Sequence, residues 1–412
     1  MTKRTILLVG AGALVLAIIL LQIPAINERV AWRYEVGKTY IKNVVNPVGE
    51  IPTAIPNPTS ASTPTPRATE TTVPTEQVIE TVAVPTSTLE PLPLSASLNS
   101  PEYEQQRPNN CGPAALAMML RMYGWNGDQF DISEVIKPIN GDRNVNPEEM
   151  AFWVNNYAGW LRLDFRVGGD LETLKRLLAA NYPVIVESTT SLNPGDTGWP
   201  DDDLWAAHYL LLTAYDDETQ TFIAQDTYRG PDQVIPYDQL LDEWKPFNYL
   251  YMVIYLPEEE AELKQLLGSN WDPDMNRQNS LTSSEAATVE NPSDAFAWFN
   301  LGSNLVYFER YEEANVAYDK ARELGLPQRM FRYQFGPFIA NFHAHRIEDL
   351  LSLTDYALQR TDMSEEAWLW HGWALVRQGD TTGAVENWRR ALSIHPGYED
   401  ALYALDFVGA TP

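Results

Sequence analysis

A chain of 412 residues with a single cysteine has no disulfide framework, so its fold must rest on packing and hydrogen bonds. Positive charge is scarce as well. Lys and Arg number 29 against 56 Asp and Glu, a net charge of −27, and no basic run occurs outside the N-terminal region. That balance argues against nucleic acid as a partner and reads most simply as a solubility feature. The chain has no P-loop, and no cofactor or metal is expected. Asp272-x-Asp274-x-Asn276 starts like a calcium loop, but Arg277 stands where glycine is required and no Glu follows at the twelfth position.

The lone cysteine lies in Gln105-Gln106-Arg107-Pro108-Asn109-Asn110-Cys111-Gly112-Pro113-Ala114-Ala115. Asn110 or Asn109 can cap a helix there, Pro113 suits its first turn, and Ala114 through Leu120 make it apolar on nearly all sides until Gly124. Cys111 then sits at the positive end of the helix dipole, where unpaired backbone N–H groups favour a thiolate. On spacing alone such a cysteine is equally a small buried hydrophobe. Catalysis requires, in addition, a base, an orienting group and an oxyanion donor.

Before the cysteine, Ile6 to Ile26 is an apolar run broken only by small residues, Gln22 and Pro24, preceded by Lys3 and Arg4. It is long enough to cross a bilayer core of about 30 Å and lacks a clear cleavage site, so it reads as a transmembrane signal anchor over residues 1–45, with a cleaved signal peptide as the alternative. No cysteine follows closely enough for a lipid anchor. Residues 46–94 are rich in Pro and Thr, as in Thr63-Pro64-Thr65-Pro66, and read as an extended, disordered stalk. Arg29, Arg33, Lys38 and Lys42 would by charge count place the bulk of the chain in the cytoplasm. The stalk argues for the opposite orientation: a single-pass protein of the cell membrane with extracellular C-terminal domains.

Residues 95–258 read as helices followed by strands. Helical signals fall at 133–136, at 147–157 behind Asn146, and at 171–180 behind Asp170; strand signals fall at 183–187, 209–215, 221–225 and 250–256. That order indicates an α+β domain with an antiparallel sheet. A hairpin centred near 217 brings His208 opposite Asp226 to within a residue or two. A carboxylate on one ring nitrogen fixes the tautomer and leaves the other for a nucleophile.

Gln105-x5-Cys111-Gly112-Pro113-Ala114, His208 through Asp217, and Gln225-Asp226 together resemble the papain-like cysteine peptidases of the thirty-ninth cysteine family, whose best-known members process bacteriocin leaders at a double glycine. The resemblance spans about 160 residues and implies a papain-like fold. It implies Cys111 as nucleophile, His208 as general base and acid, Asp226 as the residue orienting His208, and Gln105 as oxyanion donor, with Gln106 the nearby competitor. Two positions depart from the family pattern. Ala214 stands where glycine is usual and Thr227 where proline is usual, which places the chain with stand-alone relatives rather than leader-processing exporters. The loop 188–205 just before His208 supplies Trp199 and Trp205 as candidate substrate-binding walls, while Asp201, Asp202 and Asp203 are either solvated or suited to a basic substrate.

Residues 259–290 read as a helix and a linker. Beyond them Trp298, Gly302, Leu305, Ala314, Tyr318, Ala321 and Pro327 recur as Trp368, Gly372, Leu375, Ala384, Trp388, Ala391 and Pro396, and Gly336 marks a degenerate middle copy. The pattern resembles the tetratricopeptide repeat, an all-α solenoid over 291–412 with Tyr398 to Phe407 as its cap. Such arrays bind a protein or peptide partner. The expectation is therefore a membrane-anchored cysteine peptidase acting on a peptide or protein substrate, with a protein partner on the repeats. The alternatives are a non-catalytic peptide-binding scaffold, or acyl transfer by the same residues.

Overall fold

The computed structural model describes residues 5, 19–55, 91–139, 141, 144–199 and 201–412. Most of the apolar run from Ile6 and most of the Pro/Thr-rich segment lie outside these residues. In chain order the elements are α1 (Pro24–Val45), β1 (Ser95–Ser97), α2 (Cys111–Arg121), α3 (Gln129–Ile136), α4 (Pro147–Tyr157), β2 (Arg162–Arg166), α5 (Leu171–Ala179), β3 (Val184–Ser191), β4 (Trp205–Asp216), β5 (Thr221–Asp226), β6 (Gly230–Pro236), α6 (Tyr237–Trp244) and β7 (Tyr251–Tyr255). The helical half follows: α7 (Glu260–Leu267), α8 (Pro273–Glu290), α9 (Ala295–Tyr307), α10 (Tyr311–Leu324), α11 (Gly336–His343), α12 (Ile347–Arg360), α13 (Glu365–Gln378), α14 (Thr381–Ile394) and α15 (Glu399–Phe407).

The strands form one antiparallel sheet in the order β2-β7-β3-β4-β5-β6, with β1 pairing the far end of β4. Both of its faces are buried, which is why β3, β4 and β7 read as continuous apolar runs rather than alternating ones. Ile185, Leu211, Met252 and Ile254 point into the core beneath α2 and α4. Val184, Val186, Leu210, Leu212 and Val253 point the other way, into the core with α5, α6 and α7. The helix of Cys111 is central to the first core: every residue from Gly112 to Leu120 is buried.

Among the described residues no helix is long and apolar enough to cross a membrane, and most of the expected anchor from Ile6 to Ile26 lies outside them. Two sequence expectations change. Residues 48–55 are no free stalk, because Val48 and Ile51 pack on the repeats. The stretch 259–290 is no linker either. It forms α7 and α8, and α8 misled because its inward stripe is polar: Asn276, Ser280, Ser284 and Thr288 are all buried at i,i+4 spacing. These residues join the two halves of the molecule. Asn276 exchanges two hydrogen bonds with the backbone of Val167, and Asn248, Ser280 and Asn304 bond one another in a buried chain.

The three repeats carry the same turn. Glu309, His345 and Gly379 each adopt a left-handed conformation, and the next residue donates to the carbonyl of Leu305, Asn341 and Leu375 respectively. In that register Gly302 and Gly372 correspond, and each lies against the aromatic ring of its second helix, Tyr318 or Trp388. Gly336 is not their counterpart, because it opens α11. The corresponding residue is Phe338, and the residue corresponding to Tyr318 is Thr354, so the middle copy exchanges large and small across the helix pair. This complementary swap hid it from a search for glycine.

A Cβ at Gly372 would come within 2.3 Å of Trp388 Nε1. Gly372→Ala is expected to lower stability by about 1–3 kcal/mol through overpacking. Gly37→Ala, in the interior of α1 with nothing within 4 Å of the new carbon, is expected to be neutral or stabilising by about 0.5–1 kcal/mol. Urea unfolding of the two variants checks both.

Candidate active site

Cys111 is the first residue of α2 and half-buried, packed against the edge of the first core. Neither candidate asparagine caps the helix with its side chain. Asn110 occupies the N-cap position, yet its amide donates to Gln129 Oε1 at 3.0 Å. Asn109 takes a left-handed conformation, and its carbonyl accepts from Lys137 Nζ at 2.7 Å. The N-terminus of α2 is therefore left to the cysteine.

His208 lies near the start of β4, with only 2% of its surface exposed. The hairpin closes over residues 217–220, and the register pairs Leu210 with Asp226, which leaves His208 two residues further along the same face. That diagonal step is bridged by the side chains: His208 Nε2 lies 2.8 Å from Asp226 Oδ1. The same oxygen accepts from the backbone N–H groups of Tyr228 and Arg229, at 2.8 and 3.0 Å. With Nε2 committed to Asp226, Nδ1 is the ring nitrogen left for Cys111, which lines the same cavity.

Electrostatics follow from this chain of contacts. Burial alone would favour neutral imidazole, but hydrogen bonds to Asp226 and Cys111 overcome it and raise the His208 pKa to about 9. Burial would likewise raise the thiol; the hydrogen bond and charge of His208, the Tyr209 N–H and Lys137 bring it below its ordinary value instead. The Asp226 carboxyl is also held low against its burial, chiefly by His208. Nearby Glu187 moves the opposite way. Burial, together with Glu148 and the Cys111 charge, pushes it well up, so it opposes the thiolate less than a free carboxylate would.

The residues before Cys111 are held by a group that sequence reading missed. Gln129, at the start of α3 and 2% exposed, accepts from Arg107 N–H and Asn110 Nδ2 through one oxygen. Its amide donates to Glu104 Oε1 and to the Gln105 carbonyl. A lone Gln behind a helix cap carries no sequence signal for such a role. Thr227, the departure from proline, has a use as well: its hydroxyl donates to Gln106 Oε1 at 2.8 Å, and its carbonyl accepts from Gln106 N–H. Gln106 is thereby engaged by Thr227, whereas Gln105 is exposed; both line the same cavity as Cys111 and His208.

That cavity has a volume of about 1050 Å³, and three parts of the chain wall it. Trp199 lines it, with the Arg360 guanidinium 4.2 Å above its ring. Trp205 does not: it stacks on Phe247 and meets the edge of Tyr333, joining the sheet to the repeats. The aspartates are neither solvated as a set nor aimed at a substrate. Asp202 is buried in an ion pair with Arg329, and Asp203 accepts from Gln328 N–H at 2.7 Å. Arg329, Arg332 and Arg360 bring the repeats to the cavity wall, a contact between distant segments that no local pattern signals.

Residues 97–252 match the family model described as the Peptidase_C39 like family. The resemblance drawn from the cysteine, histidine and aspartate motifs is thus borne out, and this stretch is a C39-like peptidase domain followed by a helical region of tetratricopeptide type. No curated protein matches the chain. Among solved structures, a protein described as a C39-like peptidase from Bacillus anthracis is similar at 18% identity and TM-score 0.31, over 39% of this chain and 97% of that one. MamA is similar at 15% and 0.29, over 32% and 80%. YrrB, a tetratricopeptide-repeat protein with an unusual peptide-binding site, is similar at 16% and 0.20, over 36% and 97%.

Alkylation of Cys111 by iodoacetamide is expected to reach its plateau at a pH below the ordinary thiol range. In His208→Ala the midpoint should move upward, because burial remains while the main opposing influence is gone. A pH–rate profile of the two proteins tests this. An unchanged midpoint would show that the imidazole does not act on the sulfur.

Proposed function

We propose that the chain is a cysteine peptidase, or a closely related thiol amidohydrolase, in which Cys111 attacks a peptide carbonyl. The reading is supported above all by the His208–Asp226 hydrogen bond and by Cys111 and His208 sharing the wall of one cavity, where each shifts the other's pKa. The thiolate forms the bond to carbon, the carbonyl π pair moves to oxygen, and Gln105 Nε2 with the Cys111 backbone N–H receives that oxyanion. Imidazolium His208 gives its proton to the departing amine. It then takes one from water, which hydrolyses the thioacyl enzyme and returns the thiolate. Asp226 holds the ring in position and stabilises its charged form.

The substrate side of this proposal is an extended peptide laid along the cavity beside Trp199, with the repeats engaging a protein or peptide partner. Tethering outside the cell belongs to the same proposal and rests on Lys3, Arg4, the apolar run after them and the Pro/Thr-rich stretch.

The test is hydrolysis of a peptide library by the full chain. Cys111→Ala should be inert, and Gln105→Ala should lower kcat about 100- to 1000-fold. Gln106→Ala, whose side chain is already engaged by Thr227, should change kcat by less than about tenfold while costing about 1 kcal/mol of stability. Activity should rise with pH as the thiol ionises and fall again near pH 9 as His208 loses its proton. Cleavage that survives Cys111→Ala, or equal losses at Gln105 and Gln106, would overturn the assignment.

A further inference from the structure

The third wall of the cavity is α1, although nothing in the proposed chemistry calls for it. Asn27, Ala31, Glu35, Thr39, Lys42 and Asn43 recur along one side of this helix and face the space in front of Cys111. That side is mostly polar, while Val30, Tyr34, Ile41 and Val44 are exposed. Trp32 is the one large apolar side chain that α1 contributes to the cavity wall, so hydrophobic burial holds the helix only lightly. Two contacts fix it to the loop before β4: Arg33 Nη1 donates to the Gly195 carbonyl at 2.9 Å, and the Val36 carbonyl lies so close to Gly198 that a Cβ there would meet it at 2.4 Å.

The firmer hold is downstream. Residues 48–55 lie on the repeats, with Val48 and Ile51 against their apolar core. Arg322 reaches the Pro52 carbonyl, with Nε at 3.0 Å, from a guanidinium whose side chain is only 2% exposed and whose charge is met by Asp349. Arg346 and Arg360 approach the carbonyls of Ile55 and Gly49 at 3.5 and 3.4 Å. Three arginines from α10 and α12 thus address main-chain carbonyls, and Ile51-Pro52 fills the place between them. A buried guanidinium already neutralised by a carboxylate selects a carbonyl dipole, not a second anion. The seat is suited to an extended, uncharged segment with an aliphatic residue before proline, whose N–H-free ring costs no lost hydrogen bond.

We infer that residues 24–55 are an internal ligand of the repeats that keeps α1 across the cleft, so that an extended aliphatic-proline peptide competing for the seat of residues 48–55 uncovers Cys111. This rests on reading the cavity as the substrate cleft. Because the underside of α1 is mostly polar, with Trp32 its one large apolar side chain on the wall, the downstream hold on residues 48–55 is what keeps it across the cleft. The repeats then switch the cleft, in addition to any part they take in recruiting substrate.

The experiment uses the full chain and Ile51→Asp, which places a charge in the apolar seat without touching the cleft. The probe is a fluorescein-labelled synthetic peptide with the sequence of residues 46–55. With the open form populated at about 0.1–10% in the unaltered protein, Ile51→Asp should speed alkylation of Cys111 about 10- to 1000-fold. It should also speed hydrogen exchange in residues 24–45 and bind the peptide by fluorescence anisotropy more tightly than the unaltered chain does. Saturating unlabelled peptide should speed alkylation of the unaltered chain. If Ile51→Asp binds the peptide but alkylation keeps its original rate, the helix does not gate the cleft. If neither protein binds the peptide, the seat does not recognise this chemistry, and in both cases the inference fails. Fast alkylation of Ile51→Asp that is indifferent to His208→Ala would uphold the strap and overturn the catalytic reading instead.

Discussion

The site depends on keeping a charged imidazole where burial disfavours it. His208 is almost wholly enclosed, and a lone buried imidazole would be neutral. Asp226 reverses that preference, its own carboxylate being held ionised against burial chiefly by His208 and further by two backbone N–H groups. His208 in turn lowers the pKa of the Cys111 thiol against that group's own burial, with a smaller contribution from Lys137. Each member is held against its own desolvation by the next, so the triad titrates as a unit. Removing one member changes the protonation of the other two.

Positioning that unit takes two layers of the fold. The sheet fixes His208 and Asp226 through the β4/β5 register, and α2 fixes Cys111. The segment before Cys111 has no regular structure, yet Gln129, Tyr103 and Thr227 tie it to both layers. Tyr103 donates to the carbonyls of Asp226 and Thr227, and Gln106 closes the same junction. Thr227, in the turn after β5, supplies a side-chain donor that proline lacks and uses it to engage Gln106.

What the sequence made legible is what short-range physics writes into it. The apolar helix behind Cys111, the hairpin at 217–220, and the strands that follow could be read because each is specified by its own period and turn residues. β2 and β6 escaped because Arg162–Arg166 and Gly230–Pro236 carry charge or proline and borrow their order from β7 and β5. The polar face of α8 escaped because a buried hydrogen-bonded stripe looks like a solvated one. The register of His208 against Asp226 falls within the residue or two expected: the turn lies at 217–220 and not centred on 217, the bulge after Leu212 takes back one residue of that offset, and a two-residue step keeps both side chains on one face. Trp205 illustrates the limit for aromatics: composition shows that a tryptophan will be buried, not against which partner.

Charge shows most clearly why global and local arguments must be kept apart. A chain of net charge −27 suggests acidic surfaces throughout, yet the wall that the repeats lend to the cleft is arginine-rich, and the three consecutive aspartates that invited a basic substrate are used to hold it there. The Asp202–Arg329 pair is buried on both sides, so separating the repeats from the sheet would strand two charges in a low-dielectric junction, at a cost of about 3–5 kcal/mol for either partner left alone. The Asn248–Ser280–Asn304 chain adds a second junction of the same kind. A repeat array bound this firmly does not move as a detachable adaptor. Whatever occupies its arginine seats is presented to the cleft in a fixed geometry, and a ligand of the repeats and a ligand of the cleft are coupled through the segment that touches both.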